Sequence, residues 1–334
     1  LNKIFKIATI PVILLIALIL FLKWFYTGDV LSVLTNELGT TKGYITSCPI
    51  NNSKTLIIDS NDKLKSINSS KYTYFCIKPG TYDIPNRTKL IVTKSGSATT
   101  PKHLIYYDPA NGTKLPWKQA DNKRVIIKDM FILDADYWFI NGVSFEYDKG
   151  GGTLTFYNAD NNVVNNSLIQ NGIQSMVRFY SGSNNTLQNS VVRDSKRILK
   201  KDSHCIVIYK SNYNKIVNNE IYDCTDGIQT YNGANSAPYP SGYQAKGTLI
   251  QDNEFYITSK LYADCSITSN NDINKGLSTN GKCACAENAI DIKVTKDESN
   301  FDYSEIATIK GNVMHGYRET HPSCGGSEDS GYAM

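Results

Sequence analysis

At 334 residues, 41% hydrophobic and 20% charged, the chain is long enough for a large core or for one elongated domain. A formal net charge of +4 is small for that length and excludes the basic stripe of a nucleic-acid binder, so no nucleic-acid partner is expected. The 22 tyrosines and the recurring Asn-rich runs suit repeated turns and an exposed face that grips sugars, although an AT-rich genome gives the same bias.

The chain opens on an apolar run. Ile7 to Leu22 carry no charge, and Lys3, Lys6 and Lys23 flank them. With those lysines snorkelling, the span reaches roughly 20 residues, about what a bilayer requires. Trp24, Phe25 and Tyr26 supply an aromatic belt, and no small-residue cleavage site follows Leu22. Residues 1–26 are therefore expected to be a single uncleaved transmembrane helix, with membrane lipid as a partner. The lysines precede the span, which puts the body on the extracytoplasmic side, at a cell surface, in a lumen or on a virion. Cys48, Cys76, Cys205, Cys224, Cys265, Cys283, Cys285 and Cys324 make an even count, and on that side of a membrane disulfides are expected. Cys283-Ala-Cys285 also fits half of a metal site, but no second such pair accompanies it. Sequons begin at Asn51, Asn68, Asn86, Asn111, Asn165 and Asn184, so glycosylation is permitted.

Residues 27–57 read as a stalk or lead-in segment and 58–334 as the main domain. Residues 61–70 predict a short helix with Leu64 and Ile67 on one face. Tyr74-Phe75-Cys76-Ile77-Lys78-Pro79-Gly80-Thr81-Tyr82 follows as a strand and a turn. This strand with Pro-Gly-Thr-Tyr resembles the opening coil of the pectate-lyase-like β-helix superfamily, in which a short helix plugs the N-terminal end.

A repeat carries the fold. Short apolar runs recur around Gly142, Asn166, Asn189, Asn219, Asn253 and Asn312, at gaps of 24, 23, 30, 34 and 59 residues. A minimum near 23 with longer intervals is what one coil plus variable loops gives. The expected fold is all-β, a right-handed parallel β-helix of three sheets, with strands of successive coils about 4.8 Å apart. Each asparagine is expected at the bend between the second and third strands, adopting αL and bonding to the asparagine of the next coil. A sandwich or barrel would instead need antiparallel hairpins about every 8 to 12 residues.

The alignment also places the first strand of several coils, at 176–180, 205–209, 227–231 and 289–293. Alternation sends Val177, Phe179, Ile206, Ile208, Ile228, Thr230, Ile290 and Ile292 inward. Two columns then face outward: Arg178, Val207, Gln229 and Asp291, and beside them Tyr180, Tyr209, Tyr231 and Lys293. Tyrosines in a column suit sugar stacking; an exposed ladder of them also stabilises a sheet by cross-strand packing. Long loops at 232–246 and 257–286 flank the later coils. Residues 331–334 read as the start of another such strand, so further coils are expected.

Glu287-Asn288-Ala289-Ile290-Asp291-Ile292-Lys293, with Ile306 to Asn312 and His315-Gly316-Tyr317-Arg318 after it, resembles a pectate lyase block. That block has an acid four residues before Asp-Ile, then a strand, an Asn and a basic residue. The resemblance implies that Glu287 and Asp291 help bind Ca2+, that Arg318 grips the substrate carboxylate, and that sugar lies over Arg178, Tyr180, Tyr209, Gln229 and Tyr231. In a straight strand two residues four apart are separated by about 13 Å, so Glu287 must lie in a bend to share an ion with Asp291. Lys293 and Arg318 are the basic groups offered for catalysis, and Asp291 should raise the Lys293 pKa. His204 and Asp226 precede first-sheet strands in adjacent coils and could pair as acid and base, or act as turn caps. Asp202, Asp223 and Asp226 are the nearest match to a hydrolase cluster.

The expected function is a membrane-anchored extracytoplasmic β-helix that binds an acidic polysaccharide or cleaves it by β-elimination. The alternative is a non-catalytic structural component of a virion, a filament or a larger membrane assembly, with protein partners and the β-helix as a rigid spacer.

Overall fold

The computed structural model describes residues 43–84, 89–110, 116–149, 151–195, 203–232, 245–262, 286–294 and 307–317. The chain divides into two compact units, 1–43 and 44–334. Only Gly43 of the first is described; the rest of this section concerns the second.

Among the described residues, twenty-four short strands form three sheets of seven, nine and eight strands. Every pairing between them is parallel, and each strand inside a sheet pairs with the strand one coil earlier and the strand one coil later. A typical coil runs from Leu154–Tyr157 in the seven-stranded first sheet, through Val163–Asn165 in the nine-stranded second, to Leu168–Gln170 in the eight-stranded third. This is the parallel β-helix the repeat predicts. It is consistent with right-handed winding, the sense nearly all parallel crossovers adopt.

The core is built from aromatic and aliphatic side chains that meet both between coils and between sheets. Phe156 lies flat on Phe179 at 4.6 Å, Phe131 meets Phe145 at 5.0 Å, and Trp138 stacks on Phe75 at 5.5 Å. All six are completely buried, each worth roughly 1.5–3 kcal/mol in area removed from water. The predicted helix exists as Asn61–Leu64, capped by the Ser60 hydroxyl and extended by a 3₁₀ turn at Lys65–Asn68. Leu64 and Ile67 point into the core beside the edge strand Thr55–Ile58 and seal the first coil.

The bend between the second and third sheets differs from expectation in one respect. The αL role and the ladder role fall on adjacent residues. Positive φ belongs to Gly142, Asn166, Asn189, Asn218, Asp252 and Gly311. The next residue carries the buried ladder. Ser190 N donates to Asn219 Oδ1, Asn219 N and Nδ2 to Asn253 Oδ1, and Asn253 N and Nδ2 to Asn312 Oδ1, all at 2.9–3.0 Å. The predicted alignment thus slips by one residue in its last three coils. A second ladder, Asn162 to Asn185 to Asn214, stands at the bend between the first and second sheets.

Residues 44–48 lie against the outer face of the second sheet. Tyr44 stacks on Phe139 at 4.8 Å, Ile45 N donates to His103 Nε2, Asn141 Nδ2 donates to Thr46 O, and Cys48 is bonded to Cys76. The second disulfide joins Cys205 to Cys224. Cys265, Cys283, Cys285 and Cys324 lie outside the described residues.

The membrane expectation is corrected. No helix among the described residues is long and apolar enough to cross a membrane. Physically, their apolar residues are spent in strands of three to nine residues that alternate about a core, not in one continuous helical run. Residues 1–26, on which the transmembrane helix and the single-pass extracytoplasmic localisation were read, lie outside the described residues.

Candidate functional site

The register of the first sheet fixes what its outer face carries. One column runs Ile132, Thr155, Arg178, Val207, Gln229, Asp291. Its neighbour runs Tyr157, Tyr180, Tyr209, Tyr231, Lys293. Both predicted columns are present, and the tyrosine column is one residue longer than predicted. The ladder does not present its ring faces to solvent along its length. Tyr157 is stacked on Tyr180 at 5.5 Å and 8°, and Tyr209 on Tyr231 at 4.7 Å and 7°, with Tyr180 edge-on to Tyr209. Faces are engaged within the column, so the surface offers ring edges and hydroxyls. Arg178 folds its stem over Gly152, where a Cβ would come within 2.9 Å of Cδ, so a small residue there is what lets the guanidinium lie down on the sheet.

Beyond the tyrosines the column ends in charge. Asp291 Oδ2 receives the Lys293 ammonium at 2.7 Å and the Gln229 amide at 2.9 Å. Sequence reasoning placed these three but left His204 and Asp226 unresolved, because a bend intervenes. Cys205 and Ile206 both face the core, as do Met176 and Val177 in the coil before and Ala289 and Ile290 in a later one. Two consecutive inward residues break the alternation. A strict period of two would bury His204 in the core; instead it stands outside the core cluster, beside Asp226. No strict hydrophobic alternation signals this, although the paired apolar residues at each strand start do.

His204 Nε2 lies 3.3 Å from Asp226 Oδ2, within ionic reach but off the alignment of a hydrogen bond. Asp226 is fully buried, and its Oδ1 receives both the Asn288 backbone N–H and its side-chain amide at 3.2 Å. Burial pushes the His204 pKa down to about 4, with Arg178 and Lys293 acting in the same direction and Asp291 and Gln229 opposing them. The imidazole is therefore neutral at pH 7. Both of its nitrogens are shielded from solvent. Lys293 behaves oppositely. Burial, its largest influence, lowers its pKa, but Asp291, then Asp226 and Glu287, outweigh that and raise it. It stays an ammonium and is unsuited to be a base, as Asp291 beside it led one to expect.

Glu287 precedes the strand Ile290–Val294, with its N–H bonded to Thr225 O, and it lies within electrostatic reach of Lys293 together with Asp291. The donor set nevertheless does not fit calcium. Asp291 Oδ2 already holds an ammonium and an amide, and among the described residues no group of three or more His, Cys, Asp or Glu side chains could hold a metal ion. Arg318 and Asp202 lie outside the described residues. Asp223 is not on this face: both of its oxygens are taken by Thr258 at 2.7 Å.

No family profile matches the chain, and no curated protein matches it. Sixteen chains of solved structures do. A pectin methyl esterase of rice weevil is 11% identical with a TM-score of 0.45, over 85% of this chain and 94% of that one. A pectin methylesterase of Aspergillus niger is 14% identical with a TM-score of 0.42, over 87% and 91%. An alginate lyase of Paenibacillus sp. is 11% identical with a TM-score of 0.42, over 79% and 96%. These likenesses are weak, and the fold assignment stands on the chain's own parallel register.

Proposed function

We propose that this chain binds an acidic polysaccharide along the outer face of its first sheet and cleaves it by β-elimination. One observation carries the reading. His204, Asp226, Gln229, Asp291 and Lys293 gather at one end of a four-tyrosine ladder, with Arg178 beside its second tyrosine, on a face where a solenoid needs no buried polar groups. Asp226 and Gln229 are at most 2% exposed there. Burying polar atoms on a face the core does not need costs stability, and such clusters are characteristic of working sites.

In β-elimination a base, the role that falls to Arg318 once Lys293 is kept protonated, removes the proton beside the uronate carboxylate, and the electron pair of that C–H bond becomes the new carbon–carbon double bond. The glycosidic C–O bond breaks and the leaving oxygen takes up a proton from solvent water. The reaction needs a fixed positive charge against the carboxylate, because that charge grows as the proton departs. Lys293, kept protonated, is suited to this role and not to that of base. Half-buried Arg178 adds a second cation on the same face, three coils earlier. The tyrosine edges supply hydroxyls to sugar oxygens. His204 is shielded and shapes the site through Asp226 and Gln229.

The test is a panel of polyuronates and neutral glucans given to the full chain, with ultraviolet absorbance of the unsaturated product and calorimetric binding read in parallel. Binding of oligouronates but not neutral sugars, weakened by Arg178→Ala, is expected. Silence in both readouts, with and without calcium, removes the polysaccharide reading; binding without unsaturated product removes elimination and leaves a binder.

A further inference from the structure

The outer face of the first sheet carries one pair of side chains per coil. In register they are Thr155 with Tyr157, Arg178 with Tyr180, Val207 with Tyr209, Gln229 with Tyr231, and Asp291 with Lys293. Arg178 and Lys293 thus stand three coils apart, about 14 Å along the stack at about 4.8 Å per strand. Both are within reach of a ligand: Arg178 is half-buried, and the Lys293 side chain is 53% exposed. Lys293 has three N–H donors, of which Asp291 takes one at 2.7 Å. The two rows between these cations are uncharged. Val207 is 1% exposed and Gln229 2%, and the Gln229 amide is committed to Asp291 Oδ2 at 2.9 Å. The same two strands begin with His204 and the fully buried Asp226, whose carboxylate disfavours a second one nearby. An extended pyranose polymer advances by about one strand spacing per sugar, so a chain laid along the tyrosine column puts one sugar on each coil. Carboxylates on the first and fourth of four consecutive sugars then meet Arg178 and Lys293. Those on the second and third face Val207 and Gln229.

We propose that this face reads carboxylates three sugars apart and is indifferent to those between them. Its ligand is an acidic polysaccharide stretch of at least four residues whose inner two need no free carboxylate, so a partly esterified or mixed polymer is accepted as well as a fully ionised one. The inference rests on the proposed function and adds to it a minimum length and a charge pattern.

Calorimetry with the full chain compares uronate trimers, tetramers and pentamers, and tetramers methyl-esterified at the inner pair or at the outer pair of residues. Affinity should rise about tenfold or more from trimer to tetramer, as the second charge-assisted contact forms, and less than about threefold from tetramer to pentamer. Inner-pair esters should bind within about threefold of the free tetramer, whereas outer-pair esters should fall to the affinity of the trimer or below it. Arg178→Gln and Lys293→Met should each bind the tetramer no better than the trimer, and Arg178→Lys, which keeps the charge, should retain the step. Thermal midpoints close to that of the wild type show that the variants are folded; if Arg178→Gln is not, the ester comparison on the wild type decides alone. Oligouronate binding with no step at the tetramer, or inner esters that cost as much as outer ones, overturns the charge spacing and leaves polysaccharide binding standing. A wild type that binds no oligouronate of any length removes the reading of the face, and this inference with it.

Discussion

His204 is an imidazole held among Arg178, Asp226, Asp291 and Lys293, and its pKa falls from 6.5 to about 4 on folding. The unfolded chain therefore binds a proton that the folded chain refuses between those values. The contribution of this residue to stability is complete above pH 6.5 and is lost as pH falls through about 4. The loss is roughly 3 kcal/mol, from the pKa difference at 1.36 kcal/mol per unit. Urea unfolding of the wild type and of His204→Gln should show it. At pH 7.5 the two should differ by about 1 kcal/mol or less, because the imidazole nitrogens make no well-aligned hydrogen bond to lose. At pH 4 the wild type should have fallen by about 3 kcal/mol more than the variant. Parallel pH curves for the two proteins would show that the imidazole is not buried neutral. The bend that turns His204 outward was only half legible in the sequence. Alternation read from Ile206 is right for Ile206, Val207 and Ile208 and fails one step earlier, where Cys205 is also drawn into the core by its bond to Cys224.

The tyrosine ladder shows how far column logic reaches. Equal spacing of first strands placed Tyr180, Tyr209 and Tyr231 side by side, and the register agrees. It could not say which way the rings face, because ring torsion is settled by the neighbour and not by the strand. Tyr209 contacts a ring on each side, whereas Tyr157 ends the ladder at 40% exposure with one. Each aromatic pair contributes about 0.5–1.5 kcal/mol beyond burial. Tyr209→Ala should thus cost about 2–3 kcal/mol in chemical unfolding and Tyr157→Ala about 1. The edges-outward geometry makes a sharper claim about sugar. Tyr209→Phe and Tyr231→Phe keep the stack and remove the hydroxyls, so stability should hold within about 0.5 kcal/mol while oligouronate affinity drops severalfold. Unchanged affinity in both would mean that sugars meet ring faces after all. The bends were legible to within one residue: Asn-rich sequence marks them, but when Asn218 and Asn219 stand together, composition cannot tell the αL residue from the ladder residue.

Across the domain, three sheets of parallel strands leave the outer face of the second sheet to be covered by something other than a strand. His103 and Phe139 are buried on that face under Tyr44 and Ile45. No periodicity predicts this, since residues 44–48 carry no repeat; the even cysteine count was the sole hint, and it could not choose partners. Cys48–Cys76 spans 28 residues, and the chain-entropy cost of opening such a loop is about 3.5 kcal/mol. How that cost appears depends on what the bond holds. The second-sheet strands Lys102–Tyr106 and Trp138–Asn141 keep their parallel partners whether or not residues 44–48 are present. The segment itself is held otherwise by one stacked ring and three side-chain hydrogen bonds of 3.2–3.4 Å. Cys48→Ala/Cys76→Ala should therefore open locally before it unfolds globally. Hydrogen exchange followed by mass spectrometry should show amides of 44–54 exchanging at least tenfold faster than in the wild type, while peptides covering 102–106 and 138–141 keep wild-type protection. Equal acceleration in all three regions would show instead that the bond braces the whole stack of coils and that these residues are part of its core, not a strap laid over it.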